Sequence, residues 1–350
     1  MRRPFRQVDV FTSTAFAGNP VGVVLDGTGI DDAELQRFAS WTNLSETTFV
    51  LDPVDPTADY GVRIFTPTRE LPFAGHPTLG TCHAWLDAGG EPRSADVILQ
   101  ECPAGLIRIR RTADGLAFAA PPLIRSGPVD EPVLRRIAGV LRIGRDEILD
   151  GQWVDNGPGW VAVVLADAAA VLAVRPGPID MEIGVVGAHP DGSDCAYEVR
   201  AFFPKDGATV EDPVTGSLNA SLAGWLIDTG RARPPYVASQ GTALGRAGRV
   251  HISTDADGTI WVGGGTITCL TGEPPTCSPG LRLRPGRPGW TGQNSDGPAG
   301  VLRPGTVRPE CRHRRRRSSG GRRRGRRSRH TPGTCRRPRR CRPGGGSVRR

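Results

Sequence analysis

An α+β fold made of two similar, pseudo-symmetric domains is the class this sequence predicts, and three observations carry it. The hexapeptide His76-Pro77-Thr78-Leu79-Gly80-Thr81 is answered downstream by Asp212-Pro213-Val214-Thr215-Gly216-Ser217, in the same frame of polar residue, Pro, two residues, Gly and hydroxyl. Each hexapeptide follows an Arg-x-Phe-x-Pro segment (Arg63 to Pro67, Arg200 to Pro204) and opens a helix-like run ending in Trp85-Leu86 or Trp225-Leu226. Four blocks recur in one order at nearly one offset. Val23 to Leu25 matches Val163 to Leu165 at 140 residues and Tyr60 to Pro67 matches Tyr197 to Pro204 at 137. The helix starts match at 136, and the hairpins Ala104 to Phe118 and Ala247 to Trp261 at 143.

Residues 5–11 and Val21 to Leu25 read as strands joined by the turn signal Ala17-Gly18-Asn19-Pro20. Asp31-Asp32-Ala33-Glu34 has the form of a capping box and opens a helix to about Trp41, with Leu35, Phe38 and Ala39 on one side. Asn43-Leu44-Ser45-Glu46 ends that helix, and Thr47 to Leu51 is rich in β formers. Tyr60 to Phe65 alternates as a further strand. His76-Pro77 starts the next helix with Pro at its first position, and Gly89-Gly90 stops it. Leu106 to Arg110 and Leu116 to Ala119, flanking Ala113-Asp114-Gly115, close the half as a hairpin. Pro121-Pro122 and Gly127-Pro128 mark the break, and a helix crosses at Val133 to Val140. The expected division is an N-terminal domain 1–122, a linker or crossover 123–150, a C-terminal domain 151–273 and a tail 274–350.

The formal charge of +9 hides an uneven distribution: residues 276–350 carry 23 Arg against Asp296 and Glu310, net +21, so the remaining 275 residues are net −12. That tail is dominated by Pro, Gly and Arg, cannot bury enough apolar surface to offset its ordering entropy, and is expected to be disordered. Two origins remain open for it. One is a nucleic-acid-binding arm acting by counterion release, although it lacks Tyr and Phe for base stacking. The other is translation of a GC-rich gene out of frame. No apolar run approaches a membrane span, and the basic Met1-Arg2-Arg3 leads into the strand pattern Phe5 to Asp9 rather than a signal-peptide core, so a cytoplasmic location without membrane contact is expected. Cys82, Cys102, Cys195 and Cys269 are scattered without metal-type spacing and read as reduced buried thiols. No metal or other cofactor is implied, and no Gly-rich dinucleotide fingerprint follows a strand.

If the halves face each other, two helix N-termini converge and favour an anion, because free backbone N–H groups and both macrodipoles point at one place. A small anionic substrate is the expected partner. His76 is a poor cap, and its ordinary pKa suits proton traffic. Asp212 before Pro213 serves either as a helix cap or as a functional carboxylate, and Ser217 either as a ligand contact or as a partner for a backbone group. Glu46 stands between a helix and a strand, flanked by Leu44, Phe49 and Val50. It reads either as a solvated loop residue or as a partly desolvated carboxyl with its pKa raised into the range of a general base.

Together Gly18-Asn19-Pro20, Leu44-Ser45-Glu46-Thr47, Arg63 to Pro67, Phe73-Ala74-Gly75-His76-Pro77-Thr78 and Gly207 … Glu211 to Ser217 resemble the PhzF (phenazine biosynthesis) family over residues 5 to about 271. The resemblance implies two diaminopimelate-epimerase-like domains, each a central helix wrapped by a curved mixed sheet, with the site in the cleft between them. It implies a cofactor-independent isomerase, for example of trans-2,3-dihydro-3-hydroxyanthranilate, and a homodimer. It carries Glu46 as the single acid/base, His76 and Asp212 as its polar neighbours, and Ser45, Gly75, Gly216 and Ser217 as substrate-binding residues. The tail has no counterpart in that family.

Related epimerases use one thiol from each half, whereas Ala74-Gly75-His76 and Val214-Thr215-Gly216 hold none, and at an offset of 137–138 Glu46 meets Ile183 or Gly184. One base on one face suits a suprafacial proton shift within a single molecule rather than inversion. Two other classes stand beside this expectation: a non-catalytic protein of the same fold that binds small acids, and a nucleic-acid-associated protein acting through the tail.

Overall fold

The computed structural model describes residues 2–275 apart from Asp206, so the expectations for the Arg-rich tail lie outside the described residues. The first half contains β1 (Phe5–Val10), β2 (Asn19–Val24), α1 (Asp32–Thr42), β3 (Glu46–Leu51), β4 (Tyr60–Phe65) and the short β5 (Glu70–Leu71). It continues with α2 (Gly75–Asp87), β6 (Ile98–Cys102), β7 (Gly105–Thr112) and β8 (Gly115–Ala119). Then come β9 (Arg125–Pro128), α3 (Glu131–Leu141), β10 (Asp150–Asp155), β11 (Val161–Val164), α4 (Ala168–Ala173) and β12 (Ile183–Ala188). The chain goes on through β13 (Tyr197–Lys205), β14 (Ala208–Asp212), α5 (Gly216–Asp228), β15 (Tyr236–Gln240), β16 (Gly248–Thr254), β17 (Ile260–Gly264) and β18 (Thr266–Gly272).

Strand pairing makes the duplication explicit. One lobe runs β18-β1-β2-β3-β4-β6-β7-β8, with β2·β3 and β4·β6 parallel and the other pairs antiparallel. The other runs β9-β10-β11-β12-β13-β15-β16-β17, with the parallel pairs in the same places, β11·β12 and β13·β15. Antiparallel pairing of β8 with β17 joins the lobes, while β5 and β14 hang from β4 and β13. Each lobe wraps a central helix. The first eight residues of α2 and most of α5 are buried, and neither helix has an acidic residue in its first turn. Helices apolar on nearly all sides need such enclosure. One continuous apolar core unites Val8, Val21 and Leu79 with Val199, Leu218 and Leu222. Separate clusters lie under α1 (Leu35, Phe49, Phe65) and under α3 and α4 (Ile137, Val171, Ile183).

Two segments sit elsewhere than the sequence division has them. Residues 123–150 carry β9 and α3, which complete the second lobe rather than merely linking, and β18 pairs with β1 in the first lobe. Local propensity holds no information about either long-range pairing.

The offset between the halves also needs correction. Arg63 binds Glu70 with two bonds of 2.7 Å, and Arg200 binds Glu211 at 2.9 and 2.7 Å. The register sets Leu71 opposite Ile64 and Asp212 opposite Ala201. The strands therefore repeat at 137 residues, but after a hairpin four residues longer the repeat continues at 141, bringing Gly75 onto Gly216. Asp212 corresponds to Leu71, not to His76, and the likeness of the two hexapeptides is not the structural repeat. Helix α2 begins at Gly75 with Ala74 as its cap residue, one step before His76, and Pro77 is its third residue. Proline is tolerated there because the first-turn N–H groups have no intrahelical partner. Among the described residues, no helix is long and apolar enough to cross a membrane.

Candidate active site

Glu46 is the first residue of β3, beside Val21 of the parallel β2. Asn43 sets it there: it ends α1 in the left-handed conformation (φ 53°), which Asn tolerates, and so turns the chain sharply into the strand. His76 is the second residue of α2, and Asp212 is the last residue of β14. Asp212 does not cap α5; that position belongs to Thr215. The Asp212 carboxylate instead accepts from Asn19 Nδ2 at 2.8 Å and from Thr215 Oγ1 at 2.6 Å.

His76 Nε2 lies 3.1 Å from Glu46 Oε2. The contact is close but not aligned as a hydrogen bond, and both atoms are buried without another partner. Asn19 lies beside the His76 ring. Its Nδ2 reaches two obligate acceptors, Asp212 Oδ1 and the Val214 carbonyl (2.9 Å), so the amide nitrogen must point that way. The same nitrogen lies 3.3 Å from His76 Nδ1, but both of its hydrogens go to Asp212 and Val214, and the ring also hydrogen-bonds the Pro20 backbone.

Burial, and then the charge of Asp212, push the Glu46 carboxyl up to about 8, opposed by Lys205. Burial raises Asp212 to about 6, against the hydrogen bonds from Thr215 and Asn19 that favour its ionised form. Burial drives His76 down to about 3, so its ring is neutral at pH 7. The solvated-loop alternative for Glu46 does not hold.

The helix ends meet face to face. A Cβ added to Gly216 would lie 3.0 Å from Gly75 Cα and 3.2 Å from His76 N, so only glycine allows this approach. Neither helix has a side-chain cap bond at its N-terminus. Ser217 Oγ accepts from Trp160 Nε1 at 3.1 Å, and its carbonyl accepts from Asn156 Nδ2 at 2.9 Å. Ser45 is half-buried beside Glu46. Buried polar atoms without a hydrogen bond gather here: Glu46 Oε2, His76 Nε2, Asn19 Oδ1 and Asn156 Oδ1. Atoms left so at one place are suited to a ligand's groups.

Thus Glu46, His76 and Asp212 come together with Gly75, Gly216 and Ser217 between the lobes. Sequence reasoning missed Asn19, Asn156, Trp160, Thr215 and Gln240 as members of this assembly. Only Asn19 carried a signal, as part of the Gly18-Asn19-Pro20 turn.

Residues 8–272 match the family profile described as phenazine biosynthesis-like protein (PhzC-PhzF). The chain belongs to that family. A Schizosaccharomyces pombe relative named antisense-enhancing sequence 1 is 34% identical over 293 residues, spanning 77% of this chain and 97% of that protein. The trans-2,3-dihydro-3-hydroxyanthranilate isomerase of Pseudomonas fluorescens is 34% identical over 255 residues, covering 68% of this chain and 86% of the enzyme. A Bacillus anthracis PhzF-family crystal structure shares the fold, with TM-score 0.67 and 22% identity over 78% of this chain and 99% of that one. As a PhzF-like protein, the chain is an isomerase.

Proposed function

We propose that this PhzF-like isomerase moves a proton within one small carboxylated substrate, without a cofactor, using Glu46 as the single acid/base. The observation that carries the proposal is the one-sidedness of the site. Glu46 begins β3 beside Val21, and the equivalent place at the start of β12, beside Val161, holds the buried Ile183. Inversion of a carbon needs bases on both faces, whereas a base on one face can lift a proton from one carbon and return it further along a conjugated system. The substrate carboxylate binds at the facing ends of α2 and α5, where uncapped N–H groups and two dipoles favour an anion. Neutral His76 sets its ring beside Glu46 and the substrate, and Asp212 holds the second lobe's polar groups against them. Ser45, Gly75, Gly216 and Ser217 line the binding end. Acid–base action supplies roughly 10²- to 10⁴-fold, and orientation between the lobes supplies the remainder.

Incubation with trans-2,3-dihydro-3-hydroxyanthranilate in deuterium oxide tests this reading. The expected result is isomerised product, with deuterium at the receiving carbon to the extent that Glu46 exchanges its proton with solvent before returning it. A ligand that binds without exchange or isomerisation would instead identify a small-acid-binding protein that keeps the fold.

The pH dependence has a definite sign. Proton removal needs ionised Glu46, so kcat/KM rises about tenfold per pH unit and levels off above about 8, where the carboxyl has lost its proton. His76, held neutral down to about 3, adds no limb near neutrality. A profile flat from pH 6 to 9 would exclude Glu46 as the initial base.

A further inference from the structure

In the turn between β1 and β2, three successive carbonyls of the first lobe accept from the second: Arg246 Nη1 donates to Phe16 O at 2.9 Å and to Gly18 O at 3.2 Å, and the Ala247 backbone N–H donates to Ala17 O at 2.7 Å. The turn needs such a grip. Phe16 stands in the left-handed region (φ 69°), which a bulky residue avoids, and its ring is 71% exposed, so packing of the ring does not hold it there. From its own lobe the turn is tied at the Gly18 N–H, which donates to Asp9 Oδ2 at 3.0 Å. Arg246 is itself placed from the side of α5. Its backbone N–H donates to Gly241 O at 3.0 Å, and a Cβ on Gly241 would lie 2.6 Å from Pro213 O and 2.8 Å from Arg246 Cβ, so glycine there leaves room for the arginine stem beside Pro213. The residue after Gly18 is the fully buried Asn19, which bonds Asp212 and Val214 beside the His76 ring.

We propose that Arg246 is a positioning residue: its grip on Phe16 and Gly18 across the lobe boundary seats the turn that delivers Asn19 to Asp212 and His76, and so keeps the groups of the two lobes in register at the site. Its bearing on turnover rests on the isomerase reading above. The hydrogen bonds of the guanidinium go to the turn rather than to Glu46, His76 or Asp212, so Arg246 acts through Asn19. A residue held in a disfavoured backbone conformation stays there only while its surroundings fix it, and here the fixing groups belong to the other lobe. Both side-chain bonds leave one nitrogen. The ammonium of a lysine, with its several hydrogens, can therefore make them, whereas an uncharged apolar side chain cannot.

The test is hydrogen exchange of the Asn19 side-chain amide in the full-length protein, followed by heteronuclear NMR and assigned by its loss in Asn19→Ala. Arg246→Met keeps an apolar stem and removes the guanidinium. The turn then opens more often, and the Asn19 amide hydrogens exchange about tenfold faster or more, as the loss of a charge-assisted hydrogen bond predicts. Backbone amides inside α5, such as that of Leu222, keep their rates, which separates a local effect from a general loss of stability. Arg246→Lys restores slow exchange. With trans-2,3-dihydro-3-hydroxyanthranilate, kcat of Arg246→Met falls about 10- to 100-fold while KM changes less, and Arg246→Lys recovers most of the loss. Unchanged Asn19 exchange in Arg246→Met, an equal acceleration at Leu222, or a kcat at the wild-type level overturns the proposal. A wild-type protein that does not turn over this acid would count against the isomerase reading instead, because the exchange rates need no substrate and still decide whether Arg246 seats Asn19.

Discussion

Glu46→Gln abolishes turnover and leaves the fold standing. Near neutral pH the buried Glu46 carboxyl is itself mostly protonated, because desolvation and Asp212 hold it at about 8. An amide of the same size therefore replaces one neutral group by another and removes only the ability to exchange a proton. With His76 Nε2 at 3.1 Å, the amide keeps the same polar neighbour. The expected loss is at least the roughly 10²- to 10⁴-fold that a general acid–base supplies, with the thermal midpoint shifted by no more than a few degrees. Turnover and melting of the purified variant decide it: full activity removes Glu46 from the mechanism, and collapse of the fold gives it a structural role instead.

Gly216→Ala produces the second large effect, and by a different route. The added methyl would stand 3.0 Å from Gly75 Cα and 3.2 Å from both Gly75 C and His76 N, all backbone atoms of the facing helix. No flexible side chain can yield there, so the two helix ends must separate by a few tenths of an ångström. Overpacking of this kind costs about 1–3 kcal/mol. The rate falls as well: a displacement near 1 Å in a positioned site costs about 100-fold, and a separation of a few tenths lowers kcat/KM by a smaller factor. A methyl at Gly139 in α3 meets nothing within 4 Å, so Gly139→Ala, relieved of glycine's entropy cost, gains about 0.5–1 kcal/mol. Melting curves and kcat/KM for both variants compare them directly. Wild-type kcat/KM in Gly216→Ala would mean that the close approach of the helices does not position the substrate.

Much of the fold was legible because duplication leaves its mark in local motifs. The Arg-x-Phe-x-Pro strands became β4 and β13, and the two hairpins became β7–β8 and β16–β17, in the same order. The match between His76-Pro77 and Asp212-Pro213 misled, because four extra residues in the second hairpin move the register while a proline recurs nearby by chance. The paired arginine–glutamate bonds, visible only in three dimensions, reveal the true offset. The site was legible to a smaller degree. Local sequence around Glu46 suits a loop, and what places it in the interior is its pairing with the parallel β2. Asn19 reaches partners 57 and 193 residues away, and Gln240 orders Thr215 from 25 residues away. No periodicity or spacing encodes such bridges.

The return of β18 to the side of β1 has a consequence for biosynthesis. The first lobe cannot close when its own first 119 residues have left the ribosome, because its outermost place is filled by the stretch ending at Gly272. Until then β1 offers an open row of backbone donors and acceptors, the kind of rim on which nascent chains associate wrongly. Severing the chain after the first lobe therefore yields an unfinished sheet rather than an independent half.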